Sequence, residues 1–562
     1  MPIHTRRAII FRVVLLPLVL MLGTVAGLGS YYEASDDSTL AWLFSGVLAL
    51  KPVPSVPLYF HGYGHVLAAA YAAMPGVSWF GWLLGGLLAW STVLAFAVLD
   101  RWLRPLLPPW ALVLALVLFF LLAWLEHVLW FSYVRVALLL AGASVLFAAQ
   151  RPGRWAPLLV GLAGVGAAWL FRPSQAIFAV GAVVPAALLL ASGWRRAAPL
   201  LGSIVVGLVL AAGLHSWQQT PIEAHAQVRD AYFARVLDFN QLRPHPRTTA
   251  DTLGTAALEL WMMGDGTLVN EALCQRAYLF EADDFLQRQV PAKLVERAEL
   301  LVRDYFPLLL ALAVIAVGAL RRDDVPRKWF WAVQSGFVAV LVLLAGIYKL
   351  PARLAMPLLD FWLLTNLAFL FKTPSPLRIY KAGAPGVQSA AAPAFRTLFS
   401  PREPKIILLL SVVVTALYTA KTLHRFHVLS QEQRRHELAW AQIRQRPAGR
   451  VRVLAGTNDL LKSLSPFRVY TAGPGPVLML SGWQSHDPSQ AALRRQLTGA
   501  SEQAESLRRL ALQAPTAHWL LSAETARWLN RRFLTGGVRI VLRPGAALPA
   551  DTTLRYYAPV RR

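Results

Sequence analysis

YYEASDDSTLAWLFSGVLALKPVPSVPLYFHGYGHVLAAAYAAMP, residues 31–75, lies between the first long apolar run of the chain and the second. A polar stretch so placed is a loop held at the membrane face by a span on either side. It gathers three acids (Glu33, Asp36, Asp37), two histidines (His61, His65) and several glycines and prolines. Loops fixed on a rigid scaffold are where binding and catalytic groups concentrate.

The flanking sequence agrees with a membrane setting. Of 562 residues, 56% are hydrophobic and only 15% charged, against about 25% charged in an ordinary soluble domain. The apolar runs recur near the length of ~20 residues that crosses roughly 30 Å of hydrocarbon. Eleven spans are expected, at about 9–29, 77–98, 109–131, 134–149, 156–171, 175–192, 198–217, 304–320, 329–348, 352–371 and 405–423. The first is too long for a signal-peptide core and no A-x-A site follows it, so it reads as an uncleaved span.

A net charge of +25 invites a nucleic-acid partner. The basic residues, however, fall as pairs and short clusters between apolar runs and do not share one face. Anionic lipid and the positive-inside bias explain that placement, and no nucleic acid is expected. Cys274 is the only cysteine, which excludes an internal disulfide and a cysteine-only metal site.

With the N-terminus inside, one side of the membrane receives Arg6, Arg7, Arg101, Arg104, Arg151, Arg154, Arg195 and Arg196. Arg321, Arg322, Arg327, Lys328 and the basic 372–405 loop follow on the same side. The short outer loops keep only Arg135, Arg172, Lys349 and Arg353. The expectation is a multi-pass protein of the cell inner (plasma) membrane with a cytoplasmic N-terminus.

Three polar pieces then lie outside: 31–75, a segment near 218–303, and the tail. AYFARVLDF, TAALELWMM and AKLVERAELLV give the middle piece helix-like spacing, read as short helices over the membrane mouth. In the tail, helical stretches near 431–445, 488–512 and 523–533 alternate with VRVLAG, FRVYTA, PVLMLS, HWLLS and VRIVL. β-rich runs set between helices predict a small α/β domain. The fold expected is mainly α: a transmembrane bundle over 1–423, including the 31–75 and 218–303 pieces, and an extracytoplasmic α/β domain over 424–562.

Asp36 and Asp37 are the leading catalytic candidates. Neighbouring side chains diverge by about 100° on a helix and face opposite ways on a strand, so they rarely share a proton. One carboxylate for a reacting hydroxyl and the other for a metal or an orienting partner is the natural division. The competing reading makes Ser35 an N-cap with two acids in a first helical turn.

His61 and His65 have the i, i+4 spacing of two imidazoles on one helical face, which suits a metal, a substrate or an interfacial helix. Glu126 and His127, near the end of the third span, and Asp360, inside an apolar run, are ionisable groups at membrane depth. Such groups face interior cavities or partners. Arg135, Arg172, Lys349 and Arg353 are the cations available for an anionic ligand, or for snorkelling to headgroups.

With an acidic pair just beyond its first span, SDDS at 35–38, the chain resembles the GT-C superfamily of integral-membrane glycosyltransferases, of the protein O-mannosyltransferase and lipid A aminoarabinose transferase type. Seven expected spans before the 218–303 segment, and an outer domain at the end, fit the same plan. The resemblance implies inverting transfer from a polyprenyl-phosphate-linked sugar, at the outer face, to a glycan, lipid or protein acceptor. It implies an Asp general base, here Asp36 or Asp37, with Asp36 favoured. The other, Asp37, would hold a divalent cation (Mg or Mn). Glu33, His61, His65, Glu126, His127, Arg135, Arg172, Lys349 and Arg353 would serve substrate binding. The alternatives are a polysaccharide polymerase or ligase, leaning on Arg and His of 218–303, and a lipid-linked-sugar transporter or flippase.

Overall fold

The computed structural model describes residues 6–56, 62–323, 325–371, 403–445, 451–471, 473, 475–512 and 517–562, with the side chains of 403–411 left out. It divides into two compact units. One comprises 1–30, 84–218 and 290–427; the other comprises 31–83, 219–289 and 428–562.

Among the described residues, eight helices are long and apolar enough to cross a membrane. They are Arg6–Leu28, Trp79–Leu103, Pro109–Leu129, Pro173–Leu190, Trp194–Gln218, Ala282–Leu320, Arg327–Gly346 and Ala352–Phe371. Each overlaps an expected span. The fourth and fifth expected spans fall on Tyr133–Ala149 and Trp155–Phe171, apolar helices of 17 residues. That is the lower end of the length a crossing helix needs. The eleventh lies within the helix Glu403–Arg444.

AKLVERAELLV lies in the first of two helical stretches within Val290–Leu320, which meet at a kink at Tyr305 (φ −127°, ψ 17°), two residues before Pro307. Proline removes a helical hydrogen bond and crowds the preceding turn, so the bend falls just ahead of it.

Within the first unit, Tyr133–Ala149 is the central element, and only Phe147 of its side chains escapes full burial. The helices Trp155–Phe171, Pro173–Leu190 and Ala352–Phe371 pack around it. A Cβ at Gly142 would lie 2.3 Å from Phe361 Cζ. The missing side chain is what lets Ala352–Phe371 approach this closely, as small residues do between membrane helices. The approach brings Asp360, adjacent to Phe361, into the middle of the unit.

The second unit holds a five-stranded sheet. Its strands are β1 (Val451–Ala455), β2 (Val477–Met479), β3 (Ala517–Ser522), β4 (Ile540–Leu548) and β5 (Asp551–Arg561). The order is β2-β1-β3-β5-β4. β1 pairs in parallel with both β2 (Val453 opposite Leu478) and β3 (Val453 opposite Trp519). β5 is antiparallel to β3 and β4. Pro488–Thr498, Gln503–Leu512 and Ala523–Thr535 are the helices between strands. The α/β expectation for the tail therefore holds, with two differences. FRVYTA is not a strand among the described residues: Tyr470 OH donates to Glu437, and Arg468 pairs with the same carboxylate. The last strand, over TTLRYYAPV, lacks the clean two-residue alternation that marks a strand in sequence.

The 219–289 part of this unit contributes the helices Pro221–Leu237, Thr249–Glu259 and Glu271–Ala277. Thr220, Thr248 and Asn270 cap their N-termini with side-chain oxygens, the usual chemistry of a helix start. From the 31–83 part come Ser35–Phe44 and Gly64–Ala73.

Candidate functional site

In the membrane unit, Glu126, His127 and Arg135 meet in one buried cluster. A π-helical turn at Phe120–Trp124 precedes the Glu126–His127 pair, and Arg135 opens the first turn of Tyr133–Ala149. Insertions of this kind re-aim side chains and recur at functional sites. His127 Nε2 lies 2.7 Å from Asp360 Oδ2, and Arg135 Nη1 lies 3.3 Å from His127 Nδ1. A guanidinium can only donate, so Nδ1 accepts and the imidazole proton sits on Nε2, donated to Asp360. The arginine thus fixes the tautomer. Asp360 Oδ1 has no hydrogen-bond partner among the described residues.

Glu126 meets both hydrogen-bond donors and cations. It accepts from Tyr418 OH at 2.7 Å and Tyr305 OH at 3.4 Å. Arg425 approaches to 2.5 Å and Arg135 to 3.7 Å. Arg425 also reaches Asp304 at 3.7 Å, and both guanidinium groups lie over the Trp130 ring. Lys421 stands over the rings of Tyr305 and Tyr418. Three cations therefore face three carboxylates, Glu126, Asp304 and Asp360. Surrounded by cations, Glu126 suits holding positive charge better than taking a substrate proton.

Asp36 and Asp37 belong to the second unit, in the first turn of Ser35–Phe44. The N-cap is Ala34 and not Ser35: Asp37 Oδ2 accepts the Ala34 N–H at 3.2 Å. Asp37 is fully buried, and Asp36 is half-buried. Asp36 Oδ1 accepts the Trp483 indole N–H at 3.1 Å. The two carboxylates thus diverge as their adjacency requires, one to the helix start and one to the side.

No group of three or more His, Cys, Asp or Glu side chains converges as a metal site among the described residues. One oxygen of Asp37 is committed to the helix start.

The other expected site residues are dispersed. Glu33 is half-buried beside Asp36, and His65 is exposed on Gly64–Ala73. His61 lies outside the described residues. Arg172 is half-buried between the helices Trp155–Phe171 and Pro173–Leu190, and exposed Lys349 and half-buried Arg353 flank Pro351. Tyr418 and Trp483 carry no local signal in the sequence. A regular cation spacing at 421 and 425 on an extended helix was the one readable hint.

No protein-family model matches the chain, and no curated protein matches it. Among solved structures it is similar to ArnT from Cupriavidus metallidurans bound to undecaprenyl phosphate. The identity is 13% and the TM-score 0.47, with 97% of each chain covered. A likeness at that level carries no functional argument.

Proposed function

We propose that the chain is a membrane glycosyltransferase of GT-C type, with a polyprenyl-phosphate-linked sugar as donor and Asp36 as general base. The observation that supports this most is the division of labour in the acidic pair. Asp37 is buried and tied to the helix start, and Asp36 alone keeps solvent access. In the proposed step, the acceptor hydroxyl gives its proton to Asp36 as its oxygen attacks the anomeric carbon. The sugar–phosphate C–O bond breaks on the opposite face, and its electron pair leaves with the polyprenyl phosphate. The configuration inverts. The Lys/Arg distribution supports a reaction at the outer face of the inner membrane.

The polymerase or ligase alternative leans on Arg and His of the 218–303 segment. Three of those groups are engaged with acids of the same segment: Arg243 with Asp284 at 3.0 Å, His245 with Glu281 and Arg276 with Asp251 at 2.5 Å each. That favours a structural role for them.

The test is the purified protein in proteoliposomes with a labelled polyprenyl-phosphate sugar and extracts supplying glycan, lipid and protein acceptors. Label transferred to an acceptor supports the reading. Donor lipid crossing the bilayer without transfer overturns it in favour of a flippase.

A further inference from the structure

The geometry points to Trp483 as the positioning residue of the proposed base: its indole N–H, held in a braced turn of the C-terminal α/β region, aims the Asp36 carboxylate. This rests on the glycosyltransferase reading above. Trp483 and Asp36 are 447 positions apart in the chain, so only the folded tail can supply this contact.

A carboxylate on the first turn of a helix can swing about both side-chain torsions, and a general base must be held to within about 0.5 Å of its working position. An indole nitrogen is a donor only. It therefore anchors Oδ1 without competing for the proton that the acceptor hydroxyl gives up. Fixing the base beforehand removes a reorganisation from the reaction step and leaves substrate binding untouched.

The donor is itself well fixed. Trp483 is buried and opens the 3₁₀ turn Trp483–His486. Gly482, just before it, has φ +90°, a conformation that a side chain strains. Its N–H donates to Trp261 O at 2.9 Å. Three residues on, Ser485 Oγ accepts the Met263 N–H at 3.2 Å, and His486 Nε2 meets Asp230 Oδ1 at 3.0 Å. The turn is thus tied at three residues to the 219–289 part of its own unit. On this account the tail is part of the catalytic machinery and not an appendage.

Trp483→Phe keeps an aromatic ring and removes the N–H. In the proteoliposome transfer assay it should lower kcat between about 10-fold and 100-fold, the loss of one hydrogen bond to a charged group, with KM for donor and acceptor unchanged. Asp36→Asn is run beside it. Full activity of Asp36→Asn removes the base itself and the proposed function with it. An inactive Asp36→Asn together with an unchanged kcat for Trp483→Phe, or a loss carried by KM alone, overturns the positioning role and leaves the base standing. Should Trp483→Phe not fold, the indole signal decides. In ¹⁵N-tryptophan-labelled protein the Trp483 Nε1–H resonance should move on Asp36→Asn, and an unmoved resonance overturns the inference.

Discussion

His127 donates its Nε2 proton to Asp360 across 2.7 Å in the middle of the membrane unit, and both side chains are fully buried. The bond closes a chain from Arg135 through the imidazole to the carboxylate. A charge at membrane depth is costly, so such groups persist only where partners meet them.

Asp360→Ala is therefore expected to leave the His127 donor unmet and the Arg135 charge less compensated. Removing one partner of a buried pair costs about 3–5 kcal/mol. Thermal unfolding in detergent should show a large drop for Asp360→Ala and a smaller one for Asp360→Asn, whose amide oxygen still accepts. Equal midpoints for the two variants would contradict the assignment.

Tyr418→Phe removes the 2.7 Å bond to Glu126 and keeps the ring over which Lys421 stands. Glu126 retains Tyr305 and Arg425, so the expected loss is that of one hydrogen bond to a charged group, about 1.5–3 kcal/mol. Denaturant titration of the reconstituted protein measures it, and wild-type stability would count against this bond's contribution.

Asp230 gives a pH-dependent outcome. Burial pushes its pKa up, but hydrogen bonds and charge from His486 and Arg229 outweigh burial and hold it below the ordinary value. A depressed carboxylate stabilises the fold fully above its unfolded pKa of about 3.9 and loses that contribution as pH falls through the lower folded value. The stability difference between wild type and Asp230→Asn should thus persist at neutral pH and shrink only below about pH 4. A difference that grows on acidification would reverse the sign and refute it.

Much of the fold was legible because apolar length is a local property. The eight long apolar helices follow from hydropathy, and Glu126, His127 and Arg135 stood out as ionisable groups at or near the membrane. Their partners did not. Tyr418 and Arg425 reach Glu126 across almost 300 residues, a pairing that no periodicity encodes. Asp360 was visible as an acid inside an apolar run, but its histidine partner, 233 positions away, was not. In the acidic pair, adjacency predicted two roles. Only the folded chain shows that Asp37 closes the helix start and that Trp483 meets Asp36.

The most direct test compares Asp36→Asn with Asp37→Asn for sugar transfer in proteoliposomes, at equal amounts of folded protein. Asp36→Asn should lose at least about 100-fold in kcat, the scale of one general base. Asp37→Asn, whose amide oxygen can still accept the Ala34 N–H, should keep most of its activity. Wild-type turnover by Asp36→Asn, or loss confined to Asp37→Asn, would contradict the account.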